Sequence, residues 1–134
     1  MNTPAPPSTE PAIKLVMMPK DTNGQGSIFG GVILSLIDQA AFVEALRQAR
    51  HRYVTVAMDT IEFHEPVGVG DVVSLWAETT RIGRTSIRVQ VRVLARRRTT
   101  GAEVQVTTAT VTLVAIDDQG RAVPVIGGPD AGVA

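Results

Sequence analysis

An α+β domain, in which a curled antiparallel sheet wraps around one long helix, is what this sequence predicts. Three observations carry the prediction. A proline-free run in the first half places apolar residues at helical spacing. The runs that follow alternate with period two and are rich in β-branched residues. Between them lie short, turn-like connections, which favour antiparallel meanders over crossovers. A length of 134 residues fits one domain, and 44% hydrophobic residues suffice for a core.

Taken in order, MNTPAPPSTEP carries Pro4, Pro6, Pro7 and Pro11, which disfavour both helix and sheet, so residues 1–11 are expected to form a disordered tail. The end, IGGPDAGVA, reads as a second flexible tail over 126–134, leaving 12–125 as the domain. Ala12 to Met18, AIKLVMM, is the first expected strand, and Pro19 closes it. KDTNGQGS then supplies residues that tolerate unusual backbone angles and leave amides accessible. From Gly31 or Val32 to about Arg50 the apolar set Val32, Ile33, Leu36, Ile37, Ala40, Val43 and Leu46 predicts one helix, with Gly30 and Gly31 at its start. Strands are expected at Tyr53 to Phe63, Asp71 to Thr80, Thr85 to Ala95 and Val104 to Ile116. In the third of these, Ile87, Val89, Val91 and Val93 alternate with Arg88, Gln90 and Arg92, the pattern of a sheet with one covered and one wet face.

Composition narrows the function. Thirteen basic and thirteen acidic residues cancel, so the global attraction that accompanies nucleic-acid or anionic-membrane binding is missing. Without cysteine there are no disulfides, thiolate nucleophiles or sulfur-based zinc sites, which accords with a reducing cytosol. No basic and then apolar leader precedes the domain, and no stretch approaches a membrane span, so a soluble, cytoplasmic protein is expected.

One charge is out of place. At about 100° per residue, Ser35, Asp38 and Gln39 fall on one side of the helix, while Glu44, Arg47 and Gln48 fall nearly opposite. If the latter group marks solvent, Asp38 points away from it, and a lone carboxylate in such a place needs a partner or a task. A structural hydrogen bond, or an exposed position on a helix less buried than this, would satisfy it equally well. The glycine-rich turn before it adds weight, because free N–H groups and the positive end of a helix dipole suit an oxygen that becomes negative during reaction. A carbonyl held by the amides around Gly30 and Gly31, with Asp38 beside it as base or nucleophile, would be a minimal acyl-transfer site.

PKDTNGQGSIFGGVILSLIDQA, VTVAMDTIEFHEPVGVGDVV, RIGRTSIRVQVRV and TATVTLVAIDDQGRAVPV together resemble the hotdog-fold acyl-CoA thioesterases of the YciA type, akin to cytosolic acyl-CoA hydrolases. The likeness runs from about Ala12 to Val125, with the motifs in order and at matching intervals. It implies a hotdog fold and hydrolysis of acyl-CoA to free acid and CoA. It also implies that the glycine-rich loop and helix start hold the thioester carbonyl and that Asp38 activates water or attacks directly. Asn23 would help to form the site across a dimer interface, Asn23 and Asp38 then coming from different subunits. Gly24, Gln25 and Val32 depart from the usual family pattern and bear on acyl preference, together with Ile28, Phe29 and Phe63. In similar enzymes the turn holding Gly83, Arg84, Thr85 and Ser86 contacts CoA, and Arg84 suits a phosphate; by composition alone it reads as an ordinary hairpin. The resemblance implies no cofactor, CoA being part of substrate and product, and no metal.

The remaining candidates are weaker. Arg96, Arg97 and Arg98 read as a solvated hairpin tip in preference to a second contact with the CoA phosphates. His51 and His64 lack metal-ligand spacing and read as surface or strand-edge residues. No serine sits in GxSxG, and no histidine occurs between Asp21 and Arg50, which disfavours a serine hydrolase and a hotdog dehydratase. A sheet with an unfinished edge calls for a homo-oligomer, a dimer at least and a tetramer or hexamer overall. The alternative function is a catalytically silent acyl-CoA binding or sensing protein, although the chain has no spare segment for an output module.

Overall fold

A computed structural model describes residues 2–127 of the chain. The elements are β1 (Ile13–Val16), a 3-10 turn (Pro19–Asp21), α1 (Gly30–Gln48), β2 (Arg52–Phe63), β3 (Val72–Ile82), β4 (Ser86–Arg96) and β5 (Glu103–Ile116). All sheet pairings are antiparallel, in the order β1-β3-β4-β5-β2. α1 packs on the inner face of this sheet, against β3, β4 and β5.

This order corrects one expectation. The β3–β4 connection is the tight hairpin that RIGR predicts, closed by the Gly83 amide donating to the Ser86 carbonyl at 2.9 Å. The link from β2 to β3 is not a hairpin, because β2 pairs with β5 at one edge and β3 lies beside β1 towards the other. Its shortness reflects the curl of the sheet, which lets residues 64–71 cross the end of the domain.

The alternation in β4 is borne out: Ile87, Val89, Val91 and Val93 are fully buried and Arg88, Gln90 and Arg92 are exposed. They join Ala109, Val111, Leu113 and Ala115 of β5 and Ile33, Ile37, Ala40, Ala41 and Ala45 of α1 in one core. Burying one such aliphatic side chain contributes roughly 1.5–3 kcal/mol.

β2 departs from this regularity. It carries register shifts between Thr55 and Ala57 and between Asp59 and Glu62, with Thr60 at φ 53°. Positive φ is unusual for a β-branched residue. Thr60 donates to Asp59 at 2.9 Å, and Arg88 meets the same carboxylate oxygen at 3.4 Å.

The residues expected as an N-terminal tail instead lie against the domain. Asn2 bridges Ile82, the Ala5 amide donates to Gln48 at 2.8 Å, and Arg47 donates to the Pro6 carbonyl at 2.9 Å. Proline excludes helix and ladder pairing but leaves carbonyls free to accept, which is how this segment is held. Of the second expected tail, 126–134, residues 128–134 lie outside the described part.

The Arg96–Arg98 run is not uniformly a solvated tip either. Arg97 turns inward, donating to Asp71 at 3.0 Å and to the Pro66 carbonyl at 2.6 Å. Asp71 is buried and also accepts from the amides of Gly68 and Arg98. Burial would raise its carboxyl pKa, but these amides and the Arg97 guanidinium outweigh burial and hold it below the ordinary value.

Candidate active site

The loop before α1 is organised by Asn23. Its Oδ1 accepts from the amides of Gln25 at 2.8 Å and Ser27 at 3.3 Å, and its Nδ2 donates to the Ser27 hydroxyl at 2.9 Å. Such an Asx turn fixes the path of the loop. Phe29 follows as an exposed N-cap, without a side-chain cap, its amide donating to Asp21 O at 3.0 Å. Gly30 and Gly31 then open α1 on the surface. Their amides belong to the first turn, whose N–H groups have no partner within a helix. A Cβ on Gly30 would lie in van der Waals contact with the Phe63 ring, at 3.4 Å.

Beside this helix end is a cleft of about 290 Å³ lined by Ser27, Gly30, Ile33, Phe63, His64 and Thr107, among others. A second cleft of about 370 Å³ shares Ser27, Pro66 and Val67 with it and runs on to Arg98 and Thr99.

Asp38 stands elsewhere, half-buried where α1 meets β2, and Oδ1 accepts a hydrogen bond from the Thr55 hydroxyl at 2.5 Å. A short bond from a hydroxyl to a carboxylate oxygen belongs to the stronger class. It gives Asp38 one orientation. Thr55 escapes notice in the sequence because threonine at that position is ordinary strand composition.

Which side of α1 Asp38 occupies is the reverse of the expectation. Glu44, taken there to mark solvent, is only 3% exposed and faces the sheet. It accepts from Arg47 at 2.7 and 3.1 Å, from Gln48 at 3.0 Å, and from both the amide and the hydroxyl of Thr79 at 3.2 and 2.7 Å. Burial pushes its pKa up; those donors and the Arg47 charge outweigh burial and hold it below the usual value. Asp38 instead shares the outer flank with Ser35, Gln39, Phe42 and Leu46, all exposed on a single chain.

One protomer therefore does not assemble the expected centre. Asp38 follows Gly30 by eight positions, which is about 12 Å along the axis at 1.5 Å per residue. A carbonyl bonded to the Gly30 or Gly31 amide is out of reach of the Asp38 of the same helix. Asn23 makes its side-chain contacts within its own loop. Gly83, Arg84, Thr85 and Ser86 form the β3–β4 turn, anchored by Val125 N–H donating to Arg84 O and Ala115 N–H to Thr85 O, each at 2.9 Å. The Arg84 side chain is exposed. Ile87, Leu113 and Thr55 form one row across β4, β5 and β2, so this turn begins about 10 Å from Thr55 at a strand spacing of roughly 4.8 Å.

His51 donates its Nε2–H to the Val125 carbonyl, 2.7 Å away, and is structural. His64 lies at the rim of the first cleft, 3.7 Å from Glu62. Among the described residues no group of His, Cys, Asp or Glu is gathered for a metal ion, and no helix is long and apolar enough to cross a membrane.

Residues 25–102 match the family described as the Thioesterase superfamily. The chain belongs to that superfamily. This thioesterase-superfamily chain is 43% identical over 118 residues to a relative of Zymomonas mobilis named an uncharacterized acyl-CoA thioester hydrolase, covering 88% of this chain and 79% of the relative. It is 35% identical over 124 residues to the acyl-CoA thioester hydrolase YciA of Escherichia coli, covering 89% and 94%. Among solved structures, a hexameric hotdog fold thioesterase of Campylobacter jejuni superposes with a TM-score of 0.83 at 42% identity, covering 87% of this chain and 90% of that one. The fold is the hotdog fold: five antiparallel strands curled around one helix.

Proposed function

We propose that this protein hydrolyses acyl-CoA thioesters to a free carboxylic acid and CoA in an active site built by two copies of the chain. The observation that carries this reading is the Asp38 carboxylate, oriented by Thr55 on a helix flank that a single chain leaves half-covered. Relatives named acyl-CoA thioester hydrolases support the substrate class.

The thioester oxygen takes the Gly30 and Gly31 amides of one protomer, where the helix dipole stabilises the charge that develops on it. Asp38 of the other protomer supplies the second half, either by removing a proton from water or by attacking the carbonyl itself. The distance along α1 supports this division, because Asp38 does not reach the amides that open its own helix. Asn23 shapes the loop that presents those amides. Arg84, with Gly83, Thr85 and Ser86, holds a CoA phosphate, and Phe29 borders the substrate. No resident cofactor or metal takes part in this scheme.

A dimer is the minimal unit. β2 is a twelve-residue edge strand, and exposed edges of that length ordinarily pair with another strand. Val54, Val56, Ile61 and Phe63 of β2 are exposed, as are Phe42 and Leu46 of α1, Phe42 lying against Tyr53 of β2. Such a face marks an interface, and a twofold axis lets it cover its own copy. The similar solved structure is hexameric, which supports a trimer of such dimers. We assign the enzyme to the cytosol, where its cysteine-free sequence is compatible with reducing conditions.

Thiol release from a panel of acyl-CoAs tests the activity. Asp38→Asn should lower kcat by roughly 100-fold or more, the order expected for loss of a positioned base, without altering oligomer size. Turnover unchanged in that variant removes the mechanism. Binding of CoA esters with no release by the wild type would establish the silent binding protein instead.

A further inference from the structure

The inner face of β5 is apolar at Ala109, Val111, Leu113 and Ala115, and the next inward position towards the strand's start is Thr107. Thr107 is 1% exposed and lines the cleft beside Gly30. No side chain or backbone group among the described residues hydrogen-bonds its hydroxyl. No fully enclosed side-chain nitrogen or oxygen there lacks a partner, so this oxygen opens onto the cleft. Leaving a buried hydroxyl unpaired is costly, which makes its position informative.

The same cleft has an apolar wall of Ile28, Ile33, Phe63 and Val67 and a polar rim of His64 and Glu65. Its volume, about 290 Å³, lies at the lower end of small-molecule sites. It begins at the amides assigned above to the thioester oxygen, so the group entering it is attached to that carbonyl.

We infer that this cleft receives the acyl group, and that Thr107 selects short acyl chains bearing a hydroxyl or keto oxygen within a few bonds of the thioester. The inference rests on the hydrolase reading and adds a substrate class to it. A threonine hydroxyl both donates and accepts, so it pairs with either oxygen type. An unsubstituted chain leaves it unpaired in an apolar wall, and sites built to bond a substrate oxygen discriminate against analogues that lack it.

The test compares kcat/KM for acetoacetyl-, 3-hydroxybutyryl- and 4-hydroxybutyryl-CoA with that for butyryl-CoA in the wild type, Thr107→Val and Thr107→Ser. The wild type should favour at least one oxygenated ester over butyryl-CoA by roughly tenfold, about the worth of one hydrogen bond. Thr107→Val should lose the preference, its ratio of kcat/KM between oxygenated and plain ester falling towards one, while Thr107→Ser retains it. A wild type without preference overturns the inference, and needs no variant to fold. So does a preference unchanged in Thr107→Val, the hydroxyl then meeting only water. In both cases butyryl-CoA is still cleaved and the hydrolase reading stands; no release from any ester overturns both.

Discussion

Two carboxylates on α1 differ in what surrounds them, and that difference separates a structural residue from the one proposed for the chemistry. Glu44 is saturated with donors from Arg47, Gln48 and Thr79. Its folded pKa is depressed, so its contribution to stability is present above the unfolded value, near 4.5, and is lost as pH falls through the folded one. Thermal melts at fixed protein concentration should therefore show Glu44→Gln losing about 1–3 kcal/mol at pH 7, with the gap to wild type closing below about pH 4. A pH-independent gap would contradict the assignment. Asp38 has one side-chain partner in the described protomer, Thr55, and free lone pairs for chemistry. Thr55→Val should lower kcat roughly ten- to hundredfold with little change in KM, and Thr55→Ser should restore it. Steady-state kinetics of the two variants make the check. Asp38 was legible in the sequence as an anomaly, but its orientation was not. The angular argument relied on Glu44 facing water, and no helical wheel records that Thr79 of β3 would bind it.

The elements show the same division. Period-two alternation located β4 and β5 because one face of each meets the helix and the other meets water. It says nothing about neighbours, so the place of β2 beside β5 could not be read from spacing. The β2–β3 connection illustrates why: residues 64–71 look like a turn but act as a crossing held by tertiary contacts. Asp71 binds Arg97 from the β4–β5 hairpin, and Gly70, at φ +87°, lies under the Arg98 stem. A Cβ at Gly70 would approach Arg98 Cδ to 2.5 Å. Gly70→Ala should therefore destabilise the protein by about 1–3 kcal/mol, measurable by urea unfolding, through a strained backbone and a displaced Arg98. The helix was placed to within a residue or two, but the exposure of its apolar residues Phe42, Val43 and Leu46 was visible only in the structure.

What covers the exposed flank is decided at the level of the whole molecule. Val56 is 57% exposed on β2, where a lysine has ample water around it in a single chain. Val56→Lys should leave secondary structure intact yet dissociate the oligomer in sedimentation velocity and abolish thiol release, because each half-site loses its complement. Full activity from a monodisperse monomer would reject the shared site. What could be known from the order of residues was local: the helix and strands, whose periodicities are set by backbone geometry, and the loop and carboxylate motifs that mark a thioesterase. Strand order, the inward turn of Glu44, the Thr55 clasp on Asp38 and the open hydroxyl of Thr107 depend on residues far apart in the chain. They became definite only when the sheet curled around the helix, since burial and hydrogen bonding are properties of neighbours in space.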